Sequence, residues 1–183
     1  MKCKRLKANY IKGLFNRISK ALNLKAELLM SEDAENYPDH IKKYISNCNV
    51  YGFHFHIAGT SYIFINTNLI YENFKRFGPK AFKDKNMEYV PMTLKLAYAR
   101  VIIHEFTHRQ IDIKRQINNK NVLNNTFEKL LVALDKHNMA NEMFMFENEK
   151  SQEDRVHDSN FYNEFYANLF KSYKIIMELE REM

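Results

Sequence analysis

The sequence contains few of the residues that mark fibrous, disordered or disulfide-rich proteins. Its 183 residues include four glycines, three prolines, two cysteines and no tryptophan. So little glycine and proline excludes a collagen-like or linker protein, and two cysteines without CxxC spacing exclude a disulfide framework. We interpret Cys3 and Cys48 as free thiols of a reducing, cytoplasmic compartment.

Long apolar runs are missing as well. No stretch approaches the roughly 18 uncharged apolar residues that cross a bilayer, so the sequence predicts no membrane span. The apolar run near the N-terminus is interrupted by Lys12 and Arg17, which argues against a secretory signal. Hydrophobic residues make up 45% of the chain and charged residues 27%, which is typical of a globular protein and predicts a single domain over 1–183.

The net charge of +6 is distributed unevenly. Eight Lys or Arg residues precede the first acidic residue, Glu27. Apolar residues recur at helical spacing in the same segment, which predicts an amphipathic helix over about 5–22. We interpret its basic face as solvated, and a weak contact with nucleic acid or an anionic membrane is the alternative.

The remaining patterns predict an α+β fold with a small antiparallel or mixed sheet covered on one face. Aromatic and β-branched runs predict strands, the last two joined by a hairpin turn, at about 25–30, 50–57 and 61–66. Apolar periodicity predicts further helices at about 40–46, 68–76, 92–113, 126–137 and 159–181. Polar composition predicts loops over 31–39 and 118–125.

One motif indicates chemistry: His104-Glu105-x-x-His108, inside the helix predicted at 92–113. Residues four apart lie on one face of a helix, so the two imidazoles can bind one zinc ion at about 2.1 Å. Glu105 lies further round the helix, where it can act as general base toward a zinc-activated water. The alternative is a pair of surface histidines beside an exposed glutamate.

A catalytic zinc site usually has three protein ligands, so a third is expected later in the chain. A metzincin would need Gly at 111 and His at 114, but Ile111 and Lys114 stand there, which excludes that class. Two candidates remain in the last predicted helix and its approach, Glu164 and His157.

The motif together with Glu-Phe-Tyr-Ala-Asn-Leu-Phe at 164–170 resembles gluzincin metallopeptidases. The lethal-factor-like toxin peptidases and the ImmA/IrrE-like peptidases of phages and mobile elements carry similar segments. The resemblance covers about fifteen of the 183 residues. It implies a zincin-like fold that hydrolyses a peptide bond, with one zinc per chain. The implied ligands are His104, His108 and Glu164, and the implied general base is Glu105.

The resemblance also implies roles for residues around the third ligand. The small Ala167 would let the two helices approach closely, and Asn168 would hold a histidine ligand. The residue that stabilises the transition state is left open among His157, Tyr162 and Tyr166. One departure is Thr107, where these peptidases frequently have glycine.

Two other functions stay open at this stage. His157 and the residues that follow look like the His-x-x-x-Phe element of SprT-like proteases, which act on DNA-bound proteins. A third zinc ligand at His157 would favour that class, with the basic N-terminal helix as an anchor. A protein that keeps a zincin fold only to bind a host factor, as in a phage or plasmid, is the second alternative.

Two strand features complete the set of candidates. By the resemblance to zincin folds, the strand at 61–66 would be the sheet edge along which an extended peptide adds, and an ordinary half-buried strand is the alternative. His54 and His56 alternate on the preceding strand and therefore share one face. We interpret these histidines as partly buried strand residues, and a second metal site is the alternative.

Overall fold

The computed structural model describes residues 4–45, 49–82, 90–122 and 159–182. The six α-helices of this part are numbered α1 to α6, and its three strands β1 to β3; two short 3-10 helices, Ser31–Asn36 and Gly78–Phe82, lie between them. The elements follow the order α1 (Ala8–Leu22), β1 (Glu27–Met30), α2 (Asp39–Ile45), β2 (Gly52–Ile57), β3 (Thr60–Ile65), α3 (Thr67–Phe77), α4 (Leu94–Val122), α5 (Ser159–Lys171) and α6 (Tyr173–Arg181). The predicted α+β class and small mixed sheet are confirmed.

Helix α1 forms where apolar residues recur every three or four positions, and those residues are buried. The helix ends at Asn23, which has a left-handed backbone with φ 54°. Asparagine tolerates this conformation better than most residues, so it terminates the helix much as glycine would. The predicted first helix is therefore confirmed, with a start at Ala8.

The basic residues of the N-terminal segment find acidic partners in the folded chain. Lys12 Nζ lies 3.6 Å from Asp33 Oδ2, and Arg17 forms an ion pair with Glu178 of α6. Part of the positive charge is thus balanced within the protein. A nucleic-acid contact by this helix stays a prediction.

Strands β2 and β3 form the predicted hairpin. Ala58 and Gly59 connect them, both with positive φ, at 48° and 83°. Two consecutive left-handed residues make a turn whose twist matches that of the strands. Strand β3 also pairs in parallel with β1, giving the strand order β1-β3-β2. The strand predicted at 61–66 is therefore central, and its prediction as the sheet edge was wrong; β2 is an edge strand of this sheet.

Side chains alternate across β3 and divide the sheet into two faces. Ile63 and Ile65 pack into the main core with α1, α4 and α5. Phe64 faces the opposite way and joins a smaller cluster with Ile41 and Ile45 of α2. Helices therefore pack on both faces, whereas the sequence predicted cover on one face only.

Other boundaries differ from the predictions. Residues predicted as a loop at 31–39 begin with a 3-10 helix, Ser31–Asn36. Helix α4 runs on through Val122, into residues predicted as a loop. The predicted last helix is two helices, α5 and α6, with Ser172 between them. The helix predicted at 126–137, along with Cys3, Cys48 and His157, lies outside the described residues.

Candidate functional site

Helix α4 carries the histidine motif through the middle of the core. The turns of α4 before the motif are buried on nearly every side. Four of their residues have 0% exposure: Ala97, Tyr98, Ile102 and Ile103. This position agrees with the apolar run that precedes the motif, because a helix that is apolar on all sides is stable in a protein only when other elements pack around it. The motif is therefore held on a rigid element.

His104 and His108 are brought together as the four-residue spacing predicts. Their Nε2 atoms lie 3.2 Å apart. Two ligand atoms, each about 2.1 Å from one ion in tetrahedral geometry, are separated by about 3.4 Å. Both imidazoles are half-buried. The pair has the geometry of two ligands of a single metal ion.

Phe161 of α5 covers the two imidazoles. Its ring centroid lies 4.8 Å from that of His104 and 4.6 Å from that of His108. Phe165, one turn later, lies 5.9 Å from His104. Both phenylalanines have 0% exposure, so they form an apolar wall that restricts the orientation of the histidine rings.

Glu105 points toward β2 and is 4% exposed. Its side chain packs against Gly52, and burial raises the pKa of Glu105 to about 8. Oε2 of this carboxyl is buried and has no hydrogen-bond partner among the described residues. A buried carboxyl oxygen without a partner is costly in a folded protein, and such groups are concentrated at functional sites.

A short chain of hydrogen bonds joins α5 to the motif helix. Asn168 Nδ2 donates to Thr107 Oγ1 at 3.1 Å, and Thr107 Oγ1 donates to the Ile103 carbonyl at 2.8 Å. Asn168 therefore contacts the helix between the two histidines, rather than an imidazole as the resemblance implied. Ala167 is exposed, so its small size is not what brings the two helices together.

Glu164, the predicted third ligand, lies on α5 but not at the histidine pair. Its carboxylate accepts hydrogen bonds from Gln110 Nε2 and Lys114 Nζ of α4. Gln110 is two residues beyond His108, about 200° round the helix, so this contact lies on a different side of α4. The structure places Glu164 in an ion pair, with 18% of its side chain exposed.

Tyr162 and Tyr166, two of the candidates predicted to stabilise the transition state, lie on α5. Tyr162 is half-buried and Tyr166 is exposed. The ring of Tyr162 lies 5.6 Å from that of Phe161, so this tyrosine is close to the wall of the site. The choice among the three candidates for transition-state stabilisation stays a prediction.

A second cluster of metal-binding side chains forms between β2 and α4. One ligand atom from each of His54, His56 and Asp112 lies within 4.8 Å of the other two. His54 Nδ1 is 3.1 Å from Asp112 Oδ2, and its Nε2 is 2.8 Å from Ser61 Oγ. The predicted placement of the two histidines on one face of β2 is confirmed, and Asp112 joins them without having been predicted from the sequence.

Arg109 borders this second cluster. Its Nη1 lies 3.2 Å from His56 Nε2, and its Nε is buried without a hydrogen-bond partner in the described part of the chain. Burial is the main cause that lowers the pKa of His56, and the neighbouring His54 and Arg109 lower it further.

The signal that could have identified Asp112 in the sequence is its position four residues after His108, on the same face of the helix.

Comparisons with protein families, with curated proteins and with solved structures gave no match for this chain. In the part of the chain that the structure describes, no helix is both long and apolar enough to cross a membrane.

Proposed function

We propose that this protein is a zinc-dependent metallopeptidase with a zincin-like fold. The observation that carries the proposal is the 3.2 Å separation of His104 Nε2 and His108 Nε2. Neutral imidazoles are common zinc ligands, and this separation suits two ligands of one tetrahedral ion. Glu105 Oε2, which is buried without a hydrogen-bond partner in the described part of the chain, supports the same conclusion.

His104, His108 and Glu105 supply the side-chain types of a hydrolytic zinc site, and the two histidines are placed for a single ion. His104 and His108 would hold the ion, and Phe161 of α5 packs against both of their rings. Bound zinc supplies Lewis acidity, which activates water and polarises a carbonyl group. The buried rings of Phe161 and Phe165 lower the local polarity beside the histidines, which strengthens electrostatic interactions there.

Glu105 would move the proton. Burial favours the protonated form of this carboxyl, and a cation bound at the neighbouring histidines would favour the ionised form that acts as base. The carboxylate would then accept a proton from the attacking water and donate it to the leaving amine. Breaking a peptide bond requires both transfers, because an amine is a poor leaving group until it is protonated. This requirement is why a buried glutamate directly after His104 in the motif favours peptide hydrolysis.

The edge strand β2 supports a peptide as substrate. Gly52, the first residue of β2, lies against Glu105, so this strand leads away from the proposed site. In the described sheet β2 has β3 on one side only. An extended peptide added along its other side would be held by main-chain hydrogen bonds.

We assign the third ligand position to Glu164, with His157 as the alternative. Glu164 lies on α5, the helix whose Phe161 packs against both histidines. In the structure its carboxylate is bonded to Gln110 and Lys114. Binding the ion would therefore require the side chain to leave these partners and change its rotamer. Zinc content per chain, measured by mass spectrometry on untagged protein, distinguishes the candidates. Loss of zinc in Glu164→Ala but not in His157→Ala supports the assignment, and the reverse contradicts it.

The catalytic proposal has its own test. Glu105→Gln should keep about one zinc per chain and lose peptide cleavage by at least about a hundredfold, because the variant cannot accept the proton. Glu72→Gln, on the exposed surface of α3, is the matched control and should behave as wild type. Full cleavage by Glu105→Gln would exclude this mechanism. In a separate measurement of zinc content, His104→Ala should lose the ion and His40→Ala, at an exposed histidine, should retain it.

A further inference from the structure

We propose that His54, His56 and Asp112 form a second metal site, for a divalent first-row transition ion such as Zn²⁺. The inference is independent of the proposed peptidase, since it uses none of the residues of the histidine motif. It rests on three ligand atoms from two different elements, β2 and α4, that converge within 4.8 Å of one another.

The donor set defines the class of ion. Two imidazole nitrogens and one carboxylate oxygen are the ligands of many sites for zinc and for ferrous iron, and Ca²⁺ or Mg²⁺ would favour oxygen ligands only. Three protein ligands leave a position open. Asp112 has 37% of its side chain exposed, so the open side of the site can reach solvent.

The surroundings of His54 resemble those of a metal ligand. Its side chain is 2% exposed, and its Nδ1 faces Asp112. The opposite ring nitrogen, Nε2, lies 2.8 Å from the hydroxyl of Ser61 on β3. Ligating histidines usually use the second nitrogen in such a hydrogen bond, which fixes the tautomer and the ring orientation. Ser61 is therefore a positioning residue for this site.

The strand geometry places the second histidine. His54 and His56 are two residues apart on β2, so both side chains project from the same face. Their ring centroids are 4.7 Å apart and the rings are nearly perpendicular, at 89°. The rings therefore do not stack on each other, and one nitrogen of His56 lies within 4.8 Å of a His54 nitrogen and of an Asp112 carboxylate oxygen.

Arg109 opposes cation binding at this site. Its guanidinium lies 3.2 Å from His56 Nε2 and carries a positive charge. The Asp112 carboxylate supplies the compensating negative charge. We therefore expect weaker binding here than at His104 and His108, and tighter binding when the arginine is replaced, as in Arg109→Met.

The test isolates the second site by removing the first. Full-length protein carrying His104→Ala and His108→Ala is titrated with CoCl₂, followed by visible absorption, and with ZnCl₂, followed by calorimetry. We expect one ion per chain. Adding Asp112→Asn or His54→Ala should weaken binding by about tenfold or more, since each removes a direct ligand. Asp39→Asn, at a fully exposed carboxylate, is the matched control and should leave binding unchanged.

The outcomes separate this inference from the proposed peptidase. If the His104→Ala, His108→Ala protein binds no ion while its circular dichroism matches wild type, the inference is overturned. The cluster is then only His54 paired with Asp112, with His56 next to them. Undiminished binding in Asp112→Asn overturns it as well. One ion per chain that is lost with Asp112→Asn supports the second site, even if the motif histidines prove to bind nothing.

Discussion

Gly52 of β2 and Glu105 of α4 lie so close that a side chain at position 52 would be in tighter contact than side chains normally make. A Cβ atom at Gly52 would stand 3.0 Å from Glu105 Cγ and 3.0 Å from the Phe64 carbonyl oxygen. The glycine therefore permits the strand to approach the motif helix, and it fixes the position of the buried carboxyl. A glycine in a strand commonly marks such a close approach of backbone to another element.

Gly52→Ala should destabilise the protein by about 1–3 kcal/mol, because the added methyl group meets a backbone oxygen that cannot move freely. Zinc content should be unchanged, since neither motif histidine is touched. Urea unfolding measures the effect. Gly13→Ala is the control: it lies in α1 with open space around it, and it should stabilise the helix by about 0.5–1 kcal/mol. Equal stability of Gly52→Ala and wild type would refute the close approach.

The Thr107–Asn168 hydrogen bond should be measurable as a coupling between α4 and α5. Thr107→Val removes the hydroxyl and leaves the amide of Asn168 buried without its partner, at a cost of about 1–3 kcal/mol. Asn168→Leu alone removes the donor to the Thr107 hydroxyl, which still donates to the Ile103 carbonyl, so this variant should cost less. The double variant should cost less than the sum of the two, with a coupling energy of about 0.5–3 kcal/mol. Additive effects in thermal or urea unfolding would show that the two side chains do not interact.

Lys114 competes for the carboxylate that we assign to the third ligand position. Lys114→Met should therefore tighten zinc binding by about two- to fivefold, the factor that corresponds to an exposed ion pair of about 0.5–1 kcal/mol. Lys174→Met, on the exposed face of α6, is the control and should not change affinity. Zinc affinity is measured by competition with a chromophoric chelator. Unchanged affinity in Lys114→Met would place Glu164 in a purely structural ion pair.

The hairpin turn contains a residue that is poorly suited to its backbone. Ala58 is exposed and has φ 48°, a conformation that asparagine adopts at lower cost. Ala58→Asn should stabilise the protein by about 0.5–1 kcal/mol. The same replacement at exposed Ala167 within α5 should destabilise it slightly, because asparagine is a weaker helix former. Melting temperatures that move in opposite directions would agree with this prediction; two shifts of the same sign would contradict it.

Local patterns in the sequence predicted most of the elements. The spacing of apolar residues located α1, the alternation of aromatic residues located β2 and β3, and the four-residue spacing of His104 and His108 predicted a shared point for their Nε2 atoms. Each of these features is determined within one helix or strand. The Asn-rich end of α4 was mistaken for a loop because asparagine disfavours a helix only weakly and does not terminate it.

Features that depend on distant residues were not predictable in the same way. Nothing near Asp112 indicates that His54 lies beside it, because strand and helix meet only in the folded core. The order of strands is also set by long-range pairing, which is why β3 was taken for an edge. The ion pair of Lys114 with Glu164 likewise depends on how α5 docks, and no single-sequence pattern encodes that contact.

The parallel pairing of β1 with β3 has a consequence for how the chain folds. The hairpin of β2 and β3 closes through a two-residue connection and can form within microseconds. Strand β1 leaves the ribosome earlier, but its partner is the last of the three strands to be made. We therefore expect β1 to wait unpaired until the hairpin offers the outer edge of β3, so the first strand synthesised is the last to join the sheet.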